Sequence, residues 1–286
     1  MKTTKTLNQG INDRFFLTSL AVIGGSYVLL ILLLVVADIG YMFQGSGWRA
    51  ILFDNPMIHA LSKPEIRYSI WLSLISCTLA AFFSIFTAVP AGWLLSRFRF
   101  PGRGLVDALL DIPIVLPPLV IGLSLLILFQ YGPFAIKLPG VGRTLSELVV
   151  YQVPAVILAQ YAVAAAFAVR TMKVTFDEIN PRCEQVALTL GCSRAQAFVH
   201  ITLPEAGRGI MTAFTLAWAR SLGEFGPLLI FAGATRNKTE VLSTTVFLEL
   251  SIGNIGAAVA VSLIMVIAAV VVLLLTRMFG VRDKFM

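Results

Sequence analysis

Hydrophobic residues run through this chain in long blocks, and short polar segments separate them. The blocks fall at 15–37, 68–95, 108–130, 148–169, 210–233 and 255–276. A helix needs about 20 predominantly apolar residues to cross the hydrocarbon core of a bilayer, and these blocks reach that length. The pattern predicts an all-α, polytopic membrane protein with about six transmembrane helices. Residues 1–14 and 277–286 read as polar tails, and 15–276 as one bundled membrane domain. The fifth block is the least apolar, because Arg220 and Glu224 stand near its middle.

One polar interruption, 170–209, has a pattern of its own. Asn180-Pro181 marks a turn, since proline pushes its preceding residue out of helical geometry. Pro181 suits the first position of a new helix, and Glu184 near that start complements the helix dipole. Gly191 supplies a permissive backbone for a sharp turn. Ser193 can cap a second helix over 194–200, which Pro204 is expected to stop. The segment therefore reads as helix, glycine turn, short helix, exit. A lipid-buried chain has no use for such a charged, turned segment, so its simplest role is to dock a soluble partner. The competing reading is an amphipathic helix lying on the lipid surface.

Composition strengthens the membrane reading. Of 286 residues, 58% are hydrophobic and 13% charged, against roughly 45–50% and about 25% in soluble domains. Cationic residues give the orientation. With the N-terminus inside, the cytoplasmic segments hold Lys2, Lys5, Arg14, Arg97, Arg99, Arg103, Arg170, Lys173, Arg182, Arg194, Arg208, Arg277, Arg282 and Lys284. The outer loops hold Arg49, Lys63, Arg67, Lys137, Arg143, Arg236 and Lys238. That bias of about two to one places both termini and the 170–209 loop in the cytoplasm. Topology and anionic lipid then account for the net charge of +7. A nucleic-acid partner would require a basic surface interleaved with aromatics, and none is present.

Several chemistries are excluded. The apolar run after Lys2, Lys5 and Arg14 exceeds the usual 7–15 residues (roughly) of a signal-peptide core, so a retained first helix is expected. Cys77, Cys183 and Cys192 lack the pairing of a disulfide framework and the ligand spacing of a zinc site. His59 and His200, expected on opposite sides of the membrane, read as solvated loop residues. No G-x-x-x-x-G-K-[ST] phosphate loop and no H-E-x-x-H pair occurs. No cofactor and no metal is implied, and no enzyme is encoded. Any uphill transport must draw on another polypeptide or an ion gradient.

Two hydrophobic blocks carry irregular features. Asp111-Ile-Pro-Ile-Val-Leu-Pro-Pro-Leu-Val-Ile-Gly122 sets Pro113, Pro117 and Pro118 at the start of the third. Each proline removes a backbone donor and bends a helix, which a membrane tolerates where protein or an aqueous cavity satisfies the freed groups. The plainer alternative is proline at an interfacial helix start. In the fifth block, Arg220 and Glu224 lie four residues apart, on one helix face where they can pair. A charge at mid-bilayer costs about 2.5–3.5 kcal/mol on insertion scales, so it faces a partner or a cavity. A structural ion pair and a place along a pathway both remain open.

These segments together resemble a known family. The turned loop is similar to the cytoplasmic "EAA" loop of ABC-importer permeases, in which a glycine is followed by Ile-x-Leu-Pro. Ala187, Gly191, Ile201, Leu203 and Pro204 match that pattern. Gln185 and Val186 stand where Glu and the first Ala are expected, and Glu184, one place earlier, is positioned to take the acidic role. The run Arg220-Ser-Leu-Gly-Glu-Phe-Gly226, with Phe231-Ala-Gly and Thr239-Glu-Val-Leu, resembles the permeases of molybdate/tungstate and sulfate importers. The Leu-Pro-Pro run is similar to the molybdate permeases in particular. The resemblance covers roughly residues 65–276. It implies a type I permease fold in the cell membrane. Two such subunits, as a homodimer or a heterodimer, would form the pathway. Two ATPase subunits would dock on the cytoplasmic loops, and an extracytoplasmic binding protein would deliver the cargo. ATP binding would swing the pathway outward-open, and hydrolysis would reset it.

Polyamine and ferric-iron permeases share the loop and are the alternative cargoes. A secondary transporter would show internal symmetry between its halves, and the proline-rich start of the third block has no counterpart in the other half. A channel subunit would not need the glycine-turned loop.

Overall fold

A computed structural model of the chain describes residues 3–43, 61–135 and 144–281. Lys2, Arg49, His59, Lys137, Arg143, Arg282 and Lys284 lie outside the described residues. The chain divides into two compact units, Met1–Pro56 and Met57–Met286. The described part of the first is one helix, α1 (Thr3–Phe43). From Phe16 to Tyr41 its large apolar side chains are exposed, as expected of a surface whose solvent is lipid.

The second unit begins with α2 (Pro64–Arg97), α3 (Arg103–Val115) and α4 (Pro118–Gln130). It continues with a short α5 (Leu145–Val149), the long α6 (Val153–Glu178), α7 (Pro181–Thr189) and α8 (Arg194–Ala197). A π turn (Phe198–Thr202) leads through α9 (Leu203–Glu205) into α10 (Gly207–Leu222). A second π turn (Leu228–Ala232), α11 (Leu242–Ser251) and α12 (Ile255–Val281) complete the unit.

Packing follows membrane rules, in which small residues let helices approach and large apolar ones face lipid. One face of α2 is buried at Ser69, Ser73, Ser76, Ala80, Ser84, Ala88 and Gly92. Its other face exposes Trp71, Phe82 and Phe86. The α6 face that meets it is built from Ala155, Ala159, Val163, Ala164, Ala168 and Met172. At Gly92 a Cβ would lie 2.8 Å from the Met172 Cβ, so that contact admits no side chain. Helix α10 approaches α6 as closely, through Gly209 against Thr175.

Among the described residues four helices are long and apolar enough to span a membrane, within α1, α2, α6 and α12, and the bent pair α3–α4 makes a fifth candidate. Two expected spans depart from straight helices. The third is bent by 112° between α3 and α4. Leu116 and Pro117 each precede a proline and are extended, at ψ 141 and 134, which is what the following ring imposes. Pro113, by contrast, lies inside α3, and the helix continues past it to Val115. The fifth span is no continuous helix over 210–233 either. Helix α10 ends at Leu222, and the chain resumes as the π turn at Leu228. The fourth span runs further than its hydrophobic block, to Glu178, carrying the first part of the 170–209 segment as helix.

Candidate functional site

The 181–206 segment sits at the end of the bundle formed by the last turn of α2, the end of α6 and the start of α10. Asn180 caps α7 by accepting from the Arg182 amide at 3.0 Å, and Pro181 occupies the first turn, where its missing N–H costs nothing. Helix α7 closes in a Schellman motif. The Cys192 amide donates to the Ala187 carbonyl and the Gly191 amide to the Leu188 carbonyl, both at 3.1 Å. Gly191 has φ +91, and a Cβ there would meet nothing within 4 Å. The requirement for glycine is therefore in the backbone and not in the space around it. Ser193 then caps α8 through a complete capping box with Gln196.

Pro204 does not stop the second helix, contrary to the sequence expectation. The wide π turn over Phe198–Thr202 comes just before it, with the Leu203 amide donating to the Phe198 carbonyl. Pro204 then falls in the first turn of α9, a position that needs no amide donor. The helical path continues to Ala206 and on into α10.

The predicted residues divide by direction. Ala187 and Ala197 are buried and seat the two arms. Gln185 is exposed, as are Val186, Leu188 and Leu190, the last at 80%. Ile201 and Leu203 are half-buried, and Pro204 is exposed. Glu184 points inward: its Oε1 accepts from Arg97 Nε at 2.9 Å, and its side chain is only 14% exposed. On the other arm, the Phe198 ring lies 4.8 Å from Trp93 and 6.3 Å from Phe176. The tip is thus an apolar turn held from behind by α2 and α6.

Nearby, Arg170 and Lys173 of α6 form ion pairs with α3. Arg170 binds both Asp107 and Asp111, and Lys173 Nζ lies 2.9 Å from Asp107. The sequence offered a weak signal for this network, two acids four residues apart opposite two bases three apart.

The second site lies where the two broken spans meet. A Cβ on Gly122 would lie 2.7 Å from Pro227 Cα, and one on Gly226 would lie 2.9 Å from the Leu119 amide and 3.0 Å from the Pro118 Cβ. The Leu-Pro-Pro break and the Gly-Glu-Phe-Gly-Pro break therefore interlock backbone to backbone, with Pro117 and Pro118 at the corner of one and Glu224 in the other. Pro113, about one turn before this corner along the chain, is not brought into it. Phe231 extends the contact to Phe129, ring centroids 5.3 Å apart.

Arg220 Nη2 lies 2.8 Å from Glu224 Oε1, though without the alignment of a hydrogen bond. The pair does not share a helix face: Gly223 ends α10, and Glu224 lies beyond it. Glu224 is buried at 1%, while Arg220 is 32% exposed and sits 5.5 Å over the Phe167 ring. The carboxylate is anchored from the main chain too, as Ser243 Oγ donates to the Glu224 carbonyl at 2.6 Å.

At the opposite end of the bundle, Arg236 bridges Glu249 at 2.9 Å and Glu65 at 3.5 Å, and Asn254 donates to Glu249 at 2.6 Å. Burial pushes the carboxyl of neighbouring Glu240 above the usual range, against the Thr245 hydroxyl and the Arg236 charge.

A helical bundle with an exposed, turned apolar segment at one end and interlocked helix breaks within it has the anatomy of a transport subunit. The chain belongs to the family of binding-protein-dependent transport system inner membrane components, whose profile matches residues 88–282. It is 34% identical over 254 residues to the sulfate transport system permease protein CysT of Escherichia coli (strain K12), covering 86% of each chain. It is 35% identical over 208 residues to a probable molybdenum ABC transporter permease protein of Haloferax volcanii, covering 73% of each. In fold it matches a chain of a bacterial alginate ABC transporter solved with its alginate-bound periplasmic protein. The TM-score is 0.73 at 16% identity, over 97% of this chain and 98% of that one.

Proposed function

We propose that this chain is the pathway-forming permease subunit of an ATP-driven importer for a tetrahedral oxyanion, molybdate/tungstate or sulfate. The apolar tip at Val186, Leu188 and Leu190, presented by the Gly191 turn and braced from behind, carries this reading. Such an exposed apolar surface, braced from behind by Arg97 and Trp93 of α2, suits a groove on an ATPase subunit. Two ATPase subunits would dock on two permease copies, either identical or paired with a related second chain. A binding protein outside the membrane would deliver cargo to the opposite end. ATP hydrolysis belongs to the ATPase, since this chain has no phosphate loop.

The oxyanion assignment is supported by the sulfate and molybdenum permeases that the chain resembles and by a cationic group, Arg220, at the interlocked breaks. Arg220 and Glu224, with Pro117 and Pro118 beside them, would line or shape the pathway; Pro113 would tilt the start of the bent span. The docking role requires the segment that carries Glu184, Gln185, Ala187, Gly191, Ile201, Leu203 and Pro204 to lie on the cytoplasmic side of the membrane, with both termini on that side. A reporter active only outside the cytoplasm should be active when fused after Gly140, a position outside the described residues, and silent after Arg194. The reverse pattern would overturn the charge-bias orientation. The binding protein of the purified complex should retain molybdate, tungstate or sulfate; retention of a polyamine or ferric iron instead would overturn the cargo.

A further inference from the structure

Helix α2 ends in a grip on the turned segment. Arg97, its last residue, donates from Nε to Glu184 Oε1 and from Nη2 to the Ile179 carbonyl, each at 2.9 Å. The preceding residue, Ser96, donates to Asp177 at 2.6 Å. One guanidinium thereby joins α2 to the end of α6 and to the first arm of the segment, across 87 residues of sequence. The pair is not an ordinary surface bridge, which contributes little. The Arg97 and Glu184 side chains are only 12% and 14% exposed, and charge-assisted hydrogen bonds are the stronger kind. The second arm is tied to the same end of α2 through Trp93 on Phe198, and through Arg194 stacked 5.6 Å over Phe98.

The far end of α2 reaches the opposite side of the bundle. Tyr68 donates to the Lys238 carbonyl at 3.0 Å, and Ser73 accepts from the Leu242 amide at 2.8 Å. A helix of 34 residues, unbroken by a turn, extends about 51 Å. A displacement at its Arg97 end therefore reaches the loop before α11 along one continuous helix, with no loop between, Pro90 being the one interior position that lacks an amide donor.

We propose that Arg97 is a positioning residue that transmits movement of the 181–206 segment to α2, and through α2 to the outer end of the pathway. This rests on the docking reading of that segment. The fork geometry is what the role requires: two acceptors in different directions are held by one planar group, which a lysine ammonium on a flexible stem does not reproduce.

The test uses the full importer, reconstituted with its ATPase and binding protein, and reads copurification, ATP hydrolysis and uptake separately. Arg97→Ala should keep the ATPase bound and hydrolysis within about twofold of the parent, while uptake falls about tenfold or more, since two charge-assisted hydrogen bonds are lost and one alone is worth about that factor. Arg97→Lys should fall between. Glu184→Ala should lose less, because it leaves the Ile179 bond, and the double variant should match Arg97→Ala alone. Parent-like uptake in Arg97→Ala overturns the proposal, as does loss of the ATPase from the complex, or a double variant that loses the product of the single losses. Failure of the docking reading is distinguishable, because it is read with Arg97 intact, as the absence of any ATPase contact at the Leu190 tip.

Discussion

Replacing Gly191 with leucine is expected to leave membrane insertion intact and to uncouple uptake from ATP hydrolysis. At φ +91 an L-residue with a Cβ is strained by roughly 1–2 kcal/mol. Since nothing lies within 4 Å of that Cβ, the strain can be relieved only by unwinding the turn. Unwinding breaks both hydrogen bonds of the Schellman motif and moves Leu190 and the Ser193 cap away from each other. The expected loss of coupled uptake is thus about tenfold or more, the Boltzmann weight of the strain plus the lost turn bonds. Asparagine visits this region more readily, so Gly191→Asn should retain more uptake than Gly191→Leu. A leucine variant that copurifies with the ATPase and transports like the parent would remove the turn from the docking account.

The second large effect belongs to Arg220 and Glu224. Removing one partner of a buried ion pair typically costs about 3–5 kcal/mol, because the other charge is left unpaired. Here the two partners differ. Glu224 is buried at 1%, while Arg220 is 32% exposed and has the Phe167 ring beside it. Arg220→Ala should therefore destabilise more than Glu224→Ala, since a stranded carboxylate has no solvent to turn to. The double variant should recover part of the loss. Thermal unfolding of the purified complex reads the stability coupling, and uptake reads the transport coupling. Strong coupling in stability alone assigns the pair a structural role. Lost uptake in an assembled Arg220→Ala complex that still hydrolyses ATP assigns Arg220 to the pathway. Parent-like behaviour of all three variants would leave neither role standing.

Local chemistry was legible in the sequence wherever it depends on a few adjacent residues. The turn at Asn180-Pro181, the glycine at positive φ and the Ser193 cap each follow from one residue's backbone or side-chain preference, and each is present. Long apolar runs located α1, α2 and α12 for the same reason. What escaped depends on partners distant in sequence. Pro204 reads as a helix stop in the sequence, but its effect is set by the π turn before it, which rearranges the backbone bonds that proline would otherwise break. The two irregular motifs were visible singly, but their interlock at Gly122–Pro227 and Gly226–Leu119 is a tertiary contact with no local signature. Arg97 has no local signature that sets it apart from other cations, because its two acceptors, on Ile179 and Glu184, lie more than 80 residues away.

Helix breaks packed against one another also explain how a short α10 can serve a membrane bundle. Its 16 residues extend about 24 Å, short of the roughly 30 Å hydrocarbon core. The broken stretch and the π turn over Leu228–Ala232 carry the chain on through the bundle. Their backbone is shielded by α4 and α6 and not by lipid, the condition under which irregular backbone persists at membrane depth.

Site-directed cross-linking from the tip of the turned segment tests the docking claim most directly. In a chain with Cys183 and Cys192 replaced by serine, Leu190→Cys carries a short thiol-reactive cross-linker within the assembled importer. Tyr131→Cys, which is 83% exposed in the parent residue and lies beyond α4, serves as the control. The account predicts a Leu190 adduct with the ATPase subunit, responsive to nucleotide, and none from position 131. A Leu190 probe that labels lipid alone, with no ATPase adduct in any nucleotide state, would contradict it.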